Sequence, residues 1–192
     1  MRFLILILIF FNFCVGQNNV KQITLGGGCF WCVEAAFQDA KGVQSVTSGF
    51  SGGKYKNPTY SDVVSGKTQH AEVCQIIYNP QEVSLSNLLD IFFLTHDPTT
   101  LNRQGNDIGY HYRSIIFYSD DSELEIINNA IDYFNKQYYN DNIVTEVTSF
   151  NTFYEAEEYH QEYFNKNSQE PYCKFVIEPK LKQARLKLRK YY

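Results

Sequence analysis

Methionine and tryptophan each occur once in this chain. The single methionine is Met1, so the body of the chain has no thioether to oxidise. That would suit a protein working among oxidants, although chance alone gives the same count. Positive charge is not in excess either: the net charge is −4, which gives no general argument for nucleic-acid binding. Internal repeats and low-complexity linkers are missing, and one domain is the default for 192 residues. No apolar run reaches the roughly 20 residues that a membrane-spanning helix needs.

The longest such run is N-terminal. Arg2 precedes FLILILIFFNF, and small residues follow at Cys14–Val15–Gly16. A basic start, a short apolar stretch and a small-residue site make a secretory signal peptide over residues 1–16, cut after Gly16. An uncleaved signal anchor is the alternative. The expected location is the secretory pathway or the extracellular space, with residues 17–192 as a single domain.

What is present in quantity is apolar and aromatic. Apolar residues make up 44% of the chain, with 15 Tyr and 15 Phe, which is ample for a core and excludes a disordered chain. Strand-like runs at 43–50 and 71–78 alternate with helix-like ones. Ser84 is placed as the N-cap of a helix to His96, with Leu85, Leu88, Leu89, Phe92 and Phe93 on one stripe. Asp97 to Gly109 is expected as a long polar loop, and such loops are often functional. A strand follows in RSIIFYS, then a helix from Ser122 to Tyr138 and a strand in IVTEVTSF. Two more helices are expected, at 154–166 with Tyr159, Tyr163 and Phe164 on or near one side, and from Lys180 to Lys190 with Leu181, Ala184 and Leu188 as the apolar stripe. Interleaved strands and helices imply an α+β fold, a sheet covered by helices.

The stretch Gly26–Gly27–Gly28–Cys29–Phe30–Trp31–Cys32 stands out. A glycine turn that opens a helix on a cysteine exposes its sulfur to backbone N–H groups and the helix dipole, which stabilise a thiolate. Cys32 lies one turn on, within reach of a disulfide with Cys29. Removal of the leader leaves Cys29, Cys32, Cys74 and Cys173, an even count that also allows structural disulfides. A zinc site from Cys29, Cys32, His70 and Cys74 is a further alternative, although the second pair falls in a strand-like run. Cys74, inside that run, is expected as a small buried residue.

GGGCFWCVEAAF, GFSGGKYKNPTY, GKTQHAEVCQIIYNP, HDPTTLNRQGNDIGYHYRS and FYEAEEYHQEYF, in that order, resemble the A-type peptide methionine sulfoxide reductases over nearly the whole mature chain. The resemblance implies a two-layer α+β sandwich related to the ferredoxin-like architecture. It implies reduction of the S epimer of methionine sulfoxide, free or in proteins, with no metal or bound cofactor and with a thioredoxin-like reductant; a monomer with no nucleic-acid partner is expected. By the same resemblance Cys29 is the nucleophile and Glu72 the proton donor to the sulfoxide oxygen, a role that calls for a raised carboxyl pKa. Tyr60 and Tyr112 direct hydroxyls at that oxygen, Asp107 positions substrate and water, and Phe30 and Trp31 form the apolar wall for the substrate methyl. His70 takes a structural hydrogen-bonding role.

The Cys29 sulfenic acid then needs a resolving thiol. Cys173 corresponds to the recycling cysteine of many members and is preferred. Cys32, where many members have Gly, is the alternative. The chain lacks the glycine-rich tail with a further cysteine seen in some members. Two other readings compete: a CxxC thioredoxin-like disulfide oxidoreductase, whose Trp normally precedes the first Cys, and a non-catalytic secreted binding domain.

Overall fold

The computed structural model describes residues 20–192. The leader expected over 1–16 lies outside the described residues. Among the described residues no helix is long and apolar enough to cross a membrane.

A six-stranded sheet forms the centre, built from β1 (Lys21–Gly27), β2 (Val43–Ser51), β3 (Ala71–Tyr78), β6 (Ser114–Tyr118), β7 (Glu146–Ser149) and β8 (Phe153–Glu155) in the order β7-β6-β1-β3-β2-β8. The four inner strands, β6-β1-β3-β2, are all antiparallel neighbours, and β7 alone joins in parallel, against β6. Helix α1 (Phe30–Phe37) connects β1 to β2 and helix α3 (Leu85–Thr95) follows β3. The inner strands and these helices therefore run β-α-β-β-α-β, the ferredoxin-like arrangement implied by the motifs. Five successive residues of β1, Ile23 to Gly27, are buried, because the strand is covered on both faces. The larger core lies on the α1 and α3 side. The opposite face is closed by a small cluster of Ala71, Val73, Ile115 and Phe117 under Phe150 and Phe153.

Local chemistry accounts for most boundaries. Ser84 and Asn87 form a reciprocal capping box at the start of α3, with Leu85, Leu88, Leu89, Phe92 and Phe93 buried. Thr59 and Asp62 do the same for the short α2 (Tyr60–Val64). Helix α4 (Asp121–Phe134) ends earlier than the sequence pattern suggests, relaxing into a wide turn over Asn135–Tyr139. The polar loop after α3 contains a two-residue hairpin, β4 (Arg103–Gln104) with β5 (Asp107–Ile108). Helix α6 (Glu178–Lys187) buries Leu181 and Ala184, and Leu188, just beyond it, is buried too.

One expected element is corrected. Residues 154–166 are not one helix: β8 comes first, then a 3-10 turn at Glu158–His160 and the one-turn helix α5 (Tyr163–Lys166). The helical spacing of Tyr159, Tyr163 and Phe164 loses to tertiary partners. Phe153, Tyr154 and Glu155 pair with Ser51, Phe50 and Gly49 of β2, and Ala156 N–H donates to Ser48 O at 2.9 Å.

Candidate active site

The two central strands bring the site together. A Cβ on Gly26 would lie 2.8 Å from the Glu72 carbonyl and 2.8 Å from Ile115 Cγ2, so the end of β1 can lie this close to its neighbours only as glycine. Gly28 turns at φ 95°, and a Cβ there would meet Gln104 Cγ at 2.5 Å. The loop is thereby pressed onto the sheet and presents Cys29 as the N-cap of α1.

Glu72, the second residue of β3, lies beneath that N-terminus and is 1% exposed. Its Oε2 accepts the Phe30 N–H at 3.1 Å, while Oε1 is buried with no partner. Burial, reinforced by the charges of Asp107 and Cys32 and opposed by the Phe30 N–H, pushes the carboxyl up to about 8. At neutral pH Glu72 is therefore a carboxylic acid with a proton to give.

Tyr60 opens α2, and burial first, then the neighbouring Glu72 and Cys29, pushes its hydroxyl up to about 12. Burial likewise holds Tyr112 above the usual tyrosine range, with Glu72, Tyr60, Cys29 and Asp107 adding to it. These mutual effects place the five polar candidates within electrostatic reach of one another. Asp107, on β5, accepts the Tyr172 hydroxyl at 2.9 Å. Phe30 is fully buried, with ring centroids 5.8 Å from Phe50 and 5.0 Å from His160, and Trp31 is half-buried beside it. His70 has the structural role expected: its Nδ1 accepts Gly53 N–H at 3.0 Å, which leaves Nε2–H to donate to Tyr55 O at 2.8 Å.

The thiols differ from the expectation in one respect. Burial raises Cys29 well above the ordinary thiol value, as do Cys32 and Glu72, and these outweigh the one helix N–H that favours the thiolate, that of Trp31. Cys32 is instead lowered to about 7, chiefly by the Cys29 thiol beside it. Burial opposes that shift, while Lys180 and the Tyr172 hydroxyl, 3.8 Å away, assist it. Burial thus works against a charge on Cys29, while the Cys29 thiol favours one on Cys32. Cys32 is the thiol next to Cys29, while Cys173 lies buried in the turn Cys173–Ile177, within electrostatic reach of Cys32. All four described cysteines are free. Cys74 is buried between Ser48 Oγ and Phe30 O. Among the described residues no three His, Cys, Asp or Glu side chains are grouped to hold a metal ion, so the zinc alternative finds no geometry there.

Four neighbours went unnoticed in the sequence. His160 sits buried against Tyr60, Phe30 and Trp31 with neither ring nitrogen paired. Tyr163 stacks flat on Trp31, and Tyr172 meets its edge. Glu34, buried inside α1, holds the chain at Tyr163. Of these only Glu34 left a trace in the sequence, as the one charged residue in the apolar run FWCVEAAF.

Fold and site together define an α+β oxidoreductase built on a cysteine pair and a buried carboxylic acid. The family model for peptide methionine sulfoxide reductase matches residues 21–191, and the chain belongs to that family. It is 52% identical over 163 residues to the peptide methionine sulfoxide reductase MsrA of Natronomonas pharaonis, covering 84% of this chain and 92% of that protein. Among solved structures it resembles Mxr1 from Saccharomyces cerevisiae in reduced form, with TM-score 0.75 and 36% identity over 80% of this chain and 89% of that one. It also resembles the Mxr1 chain solved in complex with Trx2, with TM-score 0.54 and 28% identity over 75% and 84% of the two chains. The protein is an oxidoreductase that reduces methionine sulfoxide, a repair of oxidised protein.

Proposed function

We propose that reduction of the S epimer proceeds through a sulfenic acid on Cys29. Glu72 gives its proton to the sulfoxide oxygen as Cys29 attacks the sulfur, and the Cys29 thiol proton passes toward Cys32. The Tyr60 and Tyr112 hydroxyls polarise the S–O bond, and Phe30 and Trp31 receive the methyl group. The substrate's S–O bond and the transient bond between its sulfur and Cys29 then break as the protonated oxygen passes to Cys29 Sγ, leaving a thioether, a Cys29 sulfenic acid and an ionised Glu72. A thiol then condenses with the sulfenic acid, releasing water and forming a disulfide. The observation that carries this reading is the buried Glu72 under the α1 N-terminus, its carboxyl pushed up to about 8, with Oε2 on the Phe30 N–H and Oε1 without a protein partner.

Cys32 takes the resolving role in this proposal, because it is the thiol already beside Cys29. Cys173, buried in the turn Cys173–Ile177 and within electrostatic reach of Cys32, is the alternative. A thioredoxin-like dithiol closes the cycle, a choice supported by the Mxr1–Trx2 complex among the solved relatives.

Turnover of both epimers with dithiothreitol, for wild type and Cys29→Ser, tests the reaction. The S epimer alone should be consumed, and only by wild type. Activity in Cys29→Ser ends the proposal. Peptide mapping after one turnover without reductant should recover a Cys29–Cys32 disulfide. A Cys29–Cys173 bond returns the resolving role to Cys173.

A further inference from the structure

Trp31 is held in place by a closed circuit of three residues. Helix α1 sets Trp31 and Glu34 three positions apart, on neighbouring points of one helix face. Glu34 is 1% exposed, and its two carboxylate oxygens accept the backbone N–H groups of Glu162 (2.8 Å) and Tyr163 (3.0 Å). The Tyr163 ring then returns to Trp31, stacked at 3.6 Å between centroids and 6° between planes. Glu162 sits in the left-handed region, φ 53°, a conformation that costs a non-glycine residue about 1 kcal/mol or more and persists only where its surroundings enforce it. The Glu34 carboxylate supplies that enforcement. On the other side, Gln161 fixes the same segment to β2 by accepting Ser48 N–H and donating to the Ser48 and Ala156 carbonyls. Nothing in the proposed chemistry uses Glu34, yet each oxygen of this buried carboxylate is bound by the backbone of one distant segment, with the Ser48 hydroxyl adding to it.

We propose that Glu34 is a positioning residue for substrate specificity: by clamping the Glu162–Tyr163 backbone it holds the Tyr163 ring against Trp31, and so fixes the indole wall that selects a methyl group on the sulfoxide. The inference rests on Trp31 being that wall. Rotation of the indole would break the stack, and movement of Tyr163 would pull two N–H groups off a buried carboxylate. The wall is therefore set before substrate arrives, so shape selection carries little ordering cost.

The test compares kcat/KM for methionine sulfoxide and for ethionine sulfoxide, its S-ethyl counterpart, in wild type, Glu34→Gln and Tyr163→Leu. Glu34→Gln keeps the volume but turns an amide NH2 toward a backbone N–H. Its methyl-over-ethyl preference should fall by about ten-fold, the order of discrimination one methylene provides in a shaped apolar pocket. The loss should lie in KM, with kcat for the methyl substrate held within about two-fold, because uniform binding is what is removed. Trp31 is the only tryptophan, so the emission of the whole protein reports its stack. Emission should shift in Glu34→Gln and in Tyr163→Leu alike, and the double variant should add nothing further. Tyr163→Leu leaves Glu34 intact and keeps the test open if Glu34→Gln does not fold. Ile127→Ala, remote in α4, should lower stability without moving the preference. An unchanged preference in both Glu34→Gln and Tyr163→Leu overturns the clamp. If Trp31→Ala also leaves the preference unchanged, it is the methyl-wall reading that fails.

Discussion

Two buried glutamates serve helix α1, Glu72 beneath its N-terminus and Glu34 within it, and their surroundings differ. Under the first turn, Glu72 meets a single donor, Phe30 N–H, and keeps one oxygen bare. Deeper along the helix, Glu34 meets two backbone donors, one for each oxygen. Both are about equally inaccessible to water, and burial raises both carboxyl groups. At Glu34 the two N–H groups oppose that rise, while at Glu72 one N–H stands against burial and the charges of Asp107 and Cys32. Burial alone does not make a proton donor. A missing hydrogen bond leaves one carboxylate unsatisfied enough to keep its proton, and a complete set turns the other into a fastener.

Replacing Glu72 by Gln sharpens this contrast most. The general-acid contribution should vanish, lowering kcat/KM for sulfoxide by about 10²–10⁴-fold. The fold should not weaken at neutral pH, since the amide carries no charge to bury. Steady-state turnover alongside thermal melts checks both halves, and a variant that retains full activity separates Glu72 from the chemistry.

The pH dependence of stability follows from the same group. Folded Glu72 titrates near 8 and an ordinary glutamate near 4.5, so between those values the native state holds a proton the unfolded chain has released. Stability should then fall as pH rises through that window, by on the order of 4 kcal/mol across it, and Glu72→Gln should lack this loss. Urea unfolding of both proteins from pH 4.5 to 8 isolates the difference; parallel curves would contradict it.

On the fastened side, Gln161→Ala strands the Ser48 N–H and removes two further bonds from the segment that Glu34 clamps. A loss of about 2–3 kcal/mol is expected in chemical denaturation. The smallest effect belongs to Tyr172→Phe. Without the hydroxyl that donates to Asp107, that carboxylate bears more strongly on Cys32, which should titrate slightly higher, read from the pH dependence of its alkylation.

The parts of the fold set by local patterns were readable in the sequence. Strand β3 spans the expected 71–78, and Ser84 caps α3 through its own third neighbour, Asn87. Cys29, Glu72, Tyr60, Tyr112 and Asp107 were located by motif, and they gather. The helical spacing of 154–166 fails because its conformation is imposed by partners more than a hundred residues away: the β2 strand, the Glu34 carboxylate, and the Ser48 backbone that Gln161 engages. Spacing among Tyr159, Tyr163 and Phe164 carries no information about those partners. The order of the two thiols was hidden for a similar reason. The helix N-terminus favours a thiolate on Cys29, but burial and the nearby Glu72 are visible only once the chain is folded.

The placement of Cys29 and Glu72 at adjoining ends of β1 and β3 also bears on how the protein loses activity. Those two strands are the innermost of the sheet, while β7 and β8 stand at its edges. Amide hydrogens of central strands exchange only through the largest opening events, whereas edge strands and short turns fray at low cost. Fraying of β8 or of the hairpin leaves the β1–β3 pairing that holds the thiol beside its acid intact. Inactivation on heating should therefore coincide with exchange of the β1 and β3 amides, not precede it.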